Sequence, residues 1–126
     1  MNMELKFQDS RPDPRRYQKA WERRLRKEEK ALEKKRELLN KKIRLCAKKI
    51  KKLGARRIIL FGSLATGLYR KDSDVDIAVE GLSVDAYFKA LGILEENLGD
   101  VYFDLVDMKE ALPSVIRKIE KEGIEL

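Results

Sequence analysis

The chain has 126 residues, of which 29 are Lys or Arg and 22 Asp or Glu, for a net charge of +7 with one cysteine and no histidine. This length allows one small domain with an appendage and a single modest core. The lone Cys46 excludes an internal disulfide and fits a reducing compartment, and the missing histidine excludes an imidazole base and a zinc site. No stretch is apolar for long enough to span a bilayer, and the charged N-terminal residues lack the apolar run of a signal peptide. A cytoplasmic protein with no membrane contact is therefore expected.

Residues 1–12 carry a short Leu5-Lys6-Phe7 patch among polar residues and read as a tail. Asp13-Pro14 is a helix start, an N-cap followed by proline at the first helical position, and nothing stops a helix before Gly54. Leu25, Leu32, Leu39, Cys46 and Leu53 recur every seven residues, with Trp21, Ile43 and Ile50 beside them. A continuous helix would run about 58 Å at roughly 1.5 Å per residue, more than a domain of this size can cover. The expected division is a basic helical extension over 13–37 and a domain over 38–126, whose first helix is the apolar-rich stretch from Leu38 to Leu53. In the extension Glu28 and Lys35 interrupt the stripe, so it either pairs with another copy as a coiled coil or stands solvated, and a break near Asn40 fits the pattern.

Charge divides the chain in the same way. Residues 11–52 hold 19 basic and 6 acidic side chains, whereas residues 53–126 hold 9 basic and 14 acidic ones. A helix this basic suits the phosphates of RNA or DNA, an acidic protein partner, or simple solvation. Tyr17 and Trp21 are few aromatics for a stacking platform, which ranks nucleic acid below a protein partner.

The densest information lies between Arg57 and Val79. Arg57-Ile58-Ile59-Leu60-Phe61 is a β-branched and aromatic run ended by glycine, a buried strand entering a tight turn. Ser63 stands where a helix N-cap would, and such a turn directs free N–H groups and a hydroxyl outward, an arrangement that binds phosphate. Taken alone, Gly62-Ser63 is equally an ordinary strand-turn-helix connection. Eleven residues beyond Ser63 comes Asp74, and in an extended strand Asp74 and Asp76 project to one side. An Asp-x-Asp pair by itself is more often a solvated strand edge. Two like charges beside core residues are costly unless a cation neutralises them, and hard oxygen ligands next to a phosphate turn suit Mg²⁺.

Further on, Ser83 caps a helix from Val84 to Leu98 with Phe88, Leu91, Leu94 and Leu98 facing inward, and Gly99 ends it. Val101 to Asp107 is a strand by its β-branched and aromatic content. Within it Asp104 either faces solvent or is a buried carboxylate that needs a cation, while Asp107 caps the next turn. Pro113 to Glu122 reads as a helix stopped by Gly123, and residues 124–126 as an edge strand. The fold class is α/β: a small mixed sheet of three or four strands, helices on one face, and a long basic N-terminal helix.

Gly62-Ser63-x-Ala65-x-Gly67 followed by Asp72-Ser73-Asp74-Val75-Asp76-Ile77 resembles the signature of the polymerase-β-type nucleotidyltransferases, and the short chain resembles their minimal branch. Many minimal members carry arginine where this chain has Thr66. The resemblance covers roughly Ile58 to the C-terminus. It implies that Gly62 and Ser63 hold the triphosphate of ATP or another NTP, and that Asp74, Asp76 and Asp104 bind two Mg²⁺ ions, Asp104 also receiving the proton of the attacking hydroxyl. Arg70 and Lys71 are near enough in sequence to touch phosphates but read as solvated loop charges. Larger members carry a following helical domain for which this sequence has no room, so a partner is expected to complete the site. The resemblance extends to the antitoxins paired with HEPN proteins, which implies transfer of AMP to a hydroxyl on a HEPN toxin. A nucleic-acid or small-molecule acceptor, and a non-catalytic nucleotide-binding or docking module, remain alternatives.

Overall fold

The computed structural model describes residues 13–126; the expected tail over 1–12 lies outside the described residues. The described chain falls into two compact units divided between Glu33 and Lys34. In the first unit, Asp13 caps the helix that begins at Pro14, its Oδ1 accepting the Arg15 N–H at 3.0 Å. Tyr17, Trp21 and Leu25 are all exposed there. This helix, α1, runs Pro14–Lys52. The break that the pattern allows near Asn40 is absent, because Leu39, Ile43, Cys46, Ala47 and Ile50 keep helical spacing on its buried side and no Gly or Pro interrupts them.

After α1 the second unit follows the order β1 (Arg57–Phe61), α2 (Ser63–Thr66), β2 (Val75–Glu80), α3 (Val84–Leu98), β3 (Phe103–Asp107), α4 (Pro113–Glu122) and β4 (Ile124–Glu125). The sheet order is β3-β2-β1-β4. β1 runs antiparallel to both β2 and β4, whereas β2 and β3 are parallel, so the sheet is mixed as expected. A parallel pair cannot be joined by a hairpin, and α3 supplies the crossover. Its boundaries follow its caps: Ser83 Oγ accepts the Ala86 N–H at 3.2 Å, and Gly99 turns the chain at φ +59°.

The sheet sorts its side chains by strand alternation. On one face Ile59, Phe61 and Ala78 pack with Ile119 of α4, and Val106, Met108 and Val115 complete this layer. On the other face Ile58, Leu60, Val75, Ile77 and Val79 are buried, as are the inward stripes of α1 and α3, which meet where the Cys46 thiol lies 4.0 Å from the Ile93 carbonyl. Helices therefore cover both faces, not one. The reason lies in α4: Ile119 seats it over Ile59, and Gly123, with no side chain, lets the chain lie directly on Ile59 and the Ile119 carbonyl before β4 joins the edge of β1. The inward face of α3 also differs from expectation. Ala86, Ala90, Leu94 and Leu98 are its buried row, spaced by four, and Phe88 is 64% exposed because two residues turn it about 200° from Ala86. Among the described residues no helix is long and apolar enough to cross a membrane.

Candidate active site

The turn between β1 and β2 is built on Gly62. Its backbone stands at φ +75°, ψ −158°, a region that essentially only glycine occupies, and a β-carbon there would collide with Oδ2 of Asp76. Gly62 is the cap residue of α2, and Ser63 is the first helical residue instead of the expected N-cap; no side chain caps this helix. The close approach of the Asp76 carboxylate explains the difference, since only a residue without a side chain fits the cap position. The Gly62 carbonyl accepts the Ala65 and Thr66 N–H groups, both at 3.1 Å. Ser63 and Leu64, in the first turn, have no intrahelical acceptor for their N–H groups. Gly67, at φ +82°, closes the turn by returning its N–H to the Ser63 carbonyl.

Asp76 lies inside β2, partly buried, where the ladder sets it between Phe61 of β1 and Asp104 of β3. Parallel register places Asp76 and Asp104 side by side on the face that carries α4. Burial pushes the Asp76 carboxyl above the ordinary carboxylate range; the charge of Asp104 pushes it further, Lys118 opposes, and Asp74 and Glu122 add to the rise. Asp104 itself is exposed, on the edge strand of the sheet. Asp74 precedes β2 and is exposed, lining a cavity of about 350 Å³ with Lys35, Lys71, Ser73, Asp100 and Tyr102. Gly62, Asp76 and Asp104 thus converge, with Ser63 adjoining them along the chain, and Asp74 stands toward the loop cavity. Among the described residues no three acidic or sulfur side chains meet closely enough to form a metal cluster as they stand. The donor set still fits a hard divalent cation: carboxylate oxygens only, with Asp76 pushed above the ordinary carboxylate range by burial and then by like charges that such a cation would relieve.

Two groups near the carboxylates, Lys118 and Glu122, escape a reading of the sequence. They lie one position before Ile119 and Gly123, so once Ile119 is known to face Ile59, helical phase brings both toward Asp76. Of the two loop cations, Arg70 is exposed and gives its N–H to Ser73 Oγ at 2.9 Å, and Lys71 is likewise exposed.

The profile of the family described as polymerase beta, nucleotidyltransferase, matches residues 40–126. The chain belongs to this family. The matched region holds the Gly62 turn, Asp74, and the strands that carry Asp76 and Asp104. A solved protein described as a minimal nucleotidyltransferase is 31% identical, with a TM-score of 0.54 over 77% of this chain and 94% of that one. A mutant of the toxin-antitoxin MntA-HpeT is 33% identical, with a TM-score of 0.52 over 69% of each chain. A toxin-antitoxin crystallised with AMP-PNP is 31% identical, with a TM-score of 0.49 over 56% of this chain, which spans 59% of that neighbour's length. No curated protein matches the chain.

Proposed function

We propose that this nucleotidyltransferase transfers a nucleoside monophosphate, AMP from ATP, to a hydroxyl on a HEPN toxin partner and releases pyrophosphate, so acting as an antitoxin in the cytoplasm. The observation that carries the reading is the register of Asp76 against Asp104 beside the Gly62 turn, within a chain of nucleotidyltransferase family. The choice of a toxin as acceptor rests on the likeness to the MntA-HpeT antitoxin system and on the motif resemblance.

In this mechanism residues 38–126 form the catalytic domain and 13–37 an extension. The Ser63 hydroxyl and the free N–H groups after Gly62 hold the β- and γ-phosphates, and Gly62 gives them close access to the backbone. Asp74 and Asp76 would hold one Mg²⁺, and a second would be shared with Asp104. Held by these carboxylates, Mg²⁺ would supply neutralisation of phosphate charge and a lowered pKa for the incoming hydroxyl. Asp104, exposed on the edge strand, accepts the proton of that hydroxyl as it attacks the α-phosphate in line. Lys118 offsets negative charge at Asp76 from the α4 side. Positioning and charge carry the rate.

The test is incubation of the full chain with Mg²⁺, ATP and the product of the neighbouring reading frame, followed by intact mass of both proteins. A gain of AMP on the partner that Asp76→Asn abolishes supports the reading. Nucleotide binding without any gain on the partner moves the acceptor to a nucleic acid or small molecule, and absence of nucleotide binding makes the chain a docking module.

A further inference from the structure

Within the second unit, α1 carries ten basic side chains and one acidic one between Lys34 and Lys52. Their arrangement is regular. Lys34, Glu37, Lys41, Arg44, Lys48 and Lys51 follow steps of three and four, so they form one row along the helix, and all six are exposed. The row runs about 25 Å at ~1.5 Å per residue, longer than the phosphate chain of a single nucleotide. Among the described residues the ion pairs join Arg56, Arg57, Glu80 and Glu125 only, so none of the cations of the row is neutralised. Beside it lies a cleft of about 580 Å³, with Arg36, Lys41 and Arg44 on one wall and the Leu64–Gly67 turn on the other. There the Arg36 Nε–H is buried with no acceptor, a donor that a phosphate oxygen would satisfy.

We infer that this row and cleft bind the phosphodiester backbone of a single nucleic-acid strand, without regard to sequence. Three features favour it over other polyanions. The apolar side of the helix, Leu39 to Ile50, is buried in the domain and has nothing left to insert into a bilayer. A protein interface needs an apolar centre with few charges, and the row and cleft offer only the separate exposed side chains Leu38, Leu45 and Ile124 among many charges. A strand's repeated charges match a row of five cations that only Glu37 interrupts, and releasing its counterions supplies the free energy. The inference is independent of AMP transfer.

The experiment is fluorescence anisotropy of the full chain with a labelled oligouridylate and an oligothymidylate, without Mg²⁺ or ATP, over about 50 to 200 mM KCl. Five cations on phosphates of a single strand predict a slope of log K against log salt near −3.5, at about −0.7 per contact. The triple variant Lys41→Gln, Arg44→Gln, Lys48→Gln should flatten the slope by about 2 and weaken binding about tenfold or more on both oligomers. A control with the same loss of charge elsewhere, Lys89→Gln, Lys109→Gln, Lys121→Gln, should lose less than about threefold, with melting curves confirming that both variants are folded. No binding at the lowest salt, equal losses in variant and control, or tighter binding to phosphatidylserine vesicles than to the oligomers would overturn the assignment.

Discussion

Replacing Gly62 by alanine probes the centre of the site with the fewest assumptions. The backbone at φ +75°, ψ −158° costs a residue with a side chain about 1–3 kcal/mol. The new methyl also meets the Asp76 carboxylate, which must rotate or shift with its strand. Together these amount to roughly 2–4 kcal/mol, so with a urea dependence near ~1.5 kcal/mol per M the unfolding midpoint should fall by about 2 M. A double-mutant cycle separates the two causes. On an Asp76→Ala background the collision with the carboxylate is gone, leaving a tight contact with the β-carbon at 3.3 Å and the backbone strain, so Gly62→Ala should cost about 1 kcal/mol less there than in the wild type. A cost below about 0.5 kcal/mol in the wild-type background would refute the backbone conformation, and a cycle with no coupling would refute the contact with Asp76.

Asp76 itself should destabilise the protein at neutral pH, because its folded carboxyl is held above the ordinary range by burial and then by Asp104. Asp76→Asn is expected to raise stability by about 0.5–1 kcal/mol at pH 7 after allowance for screening of a partly exposed group. Since the folded pKa lies above the unfolded one, that advantage shrinks as the pH falls through the folded value, which melting curves at pH 7 and pH 4 will read; a lower melting temperature for the variant at pH 7 would contradict it. Mg²⁺ at about ten times its dissociation constant should stabilise the wild type by about 1.4 kcal/mol and leave Asp76→Asn unmoved, and equal shifts in both would place the ion elsewhere. Ser83→Ala removes the acceptor for the Ala86 N–H and should cost about 1 kcal/mol by urea denaturation with the nucleotide affinity unchanged; a loss of nucleotide affinity would tie the start of α3 to the site.

What the sequence discloses is governed by how local the cause is. The bounds of α3 and α4 are readable because their signals sit beside them: Ser83 and Gly99 for one, Pro113 and Gly123 for the other. The strand content of β1 is equally plain from its apolar run, and that of β2 from the alternation of Asp74 and Asp76 with Val75 and Ile77. Asp107 also takes its expected place, its Oδ1 accepting the Lys109 N–H at 3.0 Å in the following turn. Nonlocal packing decides the rest. Whether the cap of α2 is Gly62 or Ser63 depends on a carboxylate fourteen residues later pressing on the turn. Phe88 looks like a core residue by composition, but the row through Ala86 and Ala90 wins because small residues let α3 lie closer to its neighbours. That α4 covers the opposite face of the sheet, carrying Lys118 toward Asp76, follows only from the fit of Ile119 and Gly123 over Ile59. The placement of Asp104 opposite Asp76 likewise needs the register of a parallel pair, which no single segment encodes.

That register has an evolutionary consequence. Ile77 and Leu105, paired one step along the same ladder and both buried, hold β2 against β3 from the face away from the carboxylates. A slip by one residue would expose them and carry Asp104 into the apolar layer, so inheritance of the core preserves the alignment of the site whether or not the site is used. The three aspartates can then drift individually without risk to the fold, and a lineage freed from selection for transfer would keep a well-formed domain for its partners. A chain with Asp74, Asp76 and Asp104 all changed to asparagine should retain its cooperative unfolding; collapse of that transition would show that the carboxylates are part of what holds the strands in line.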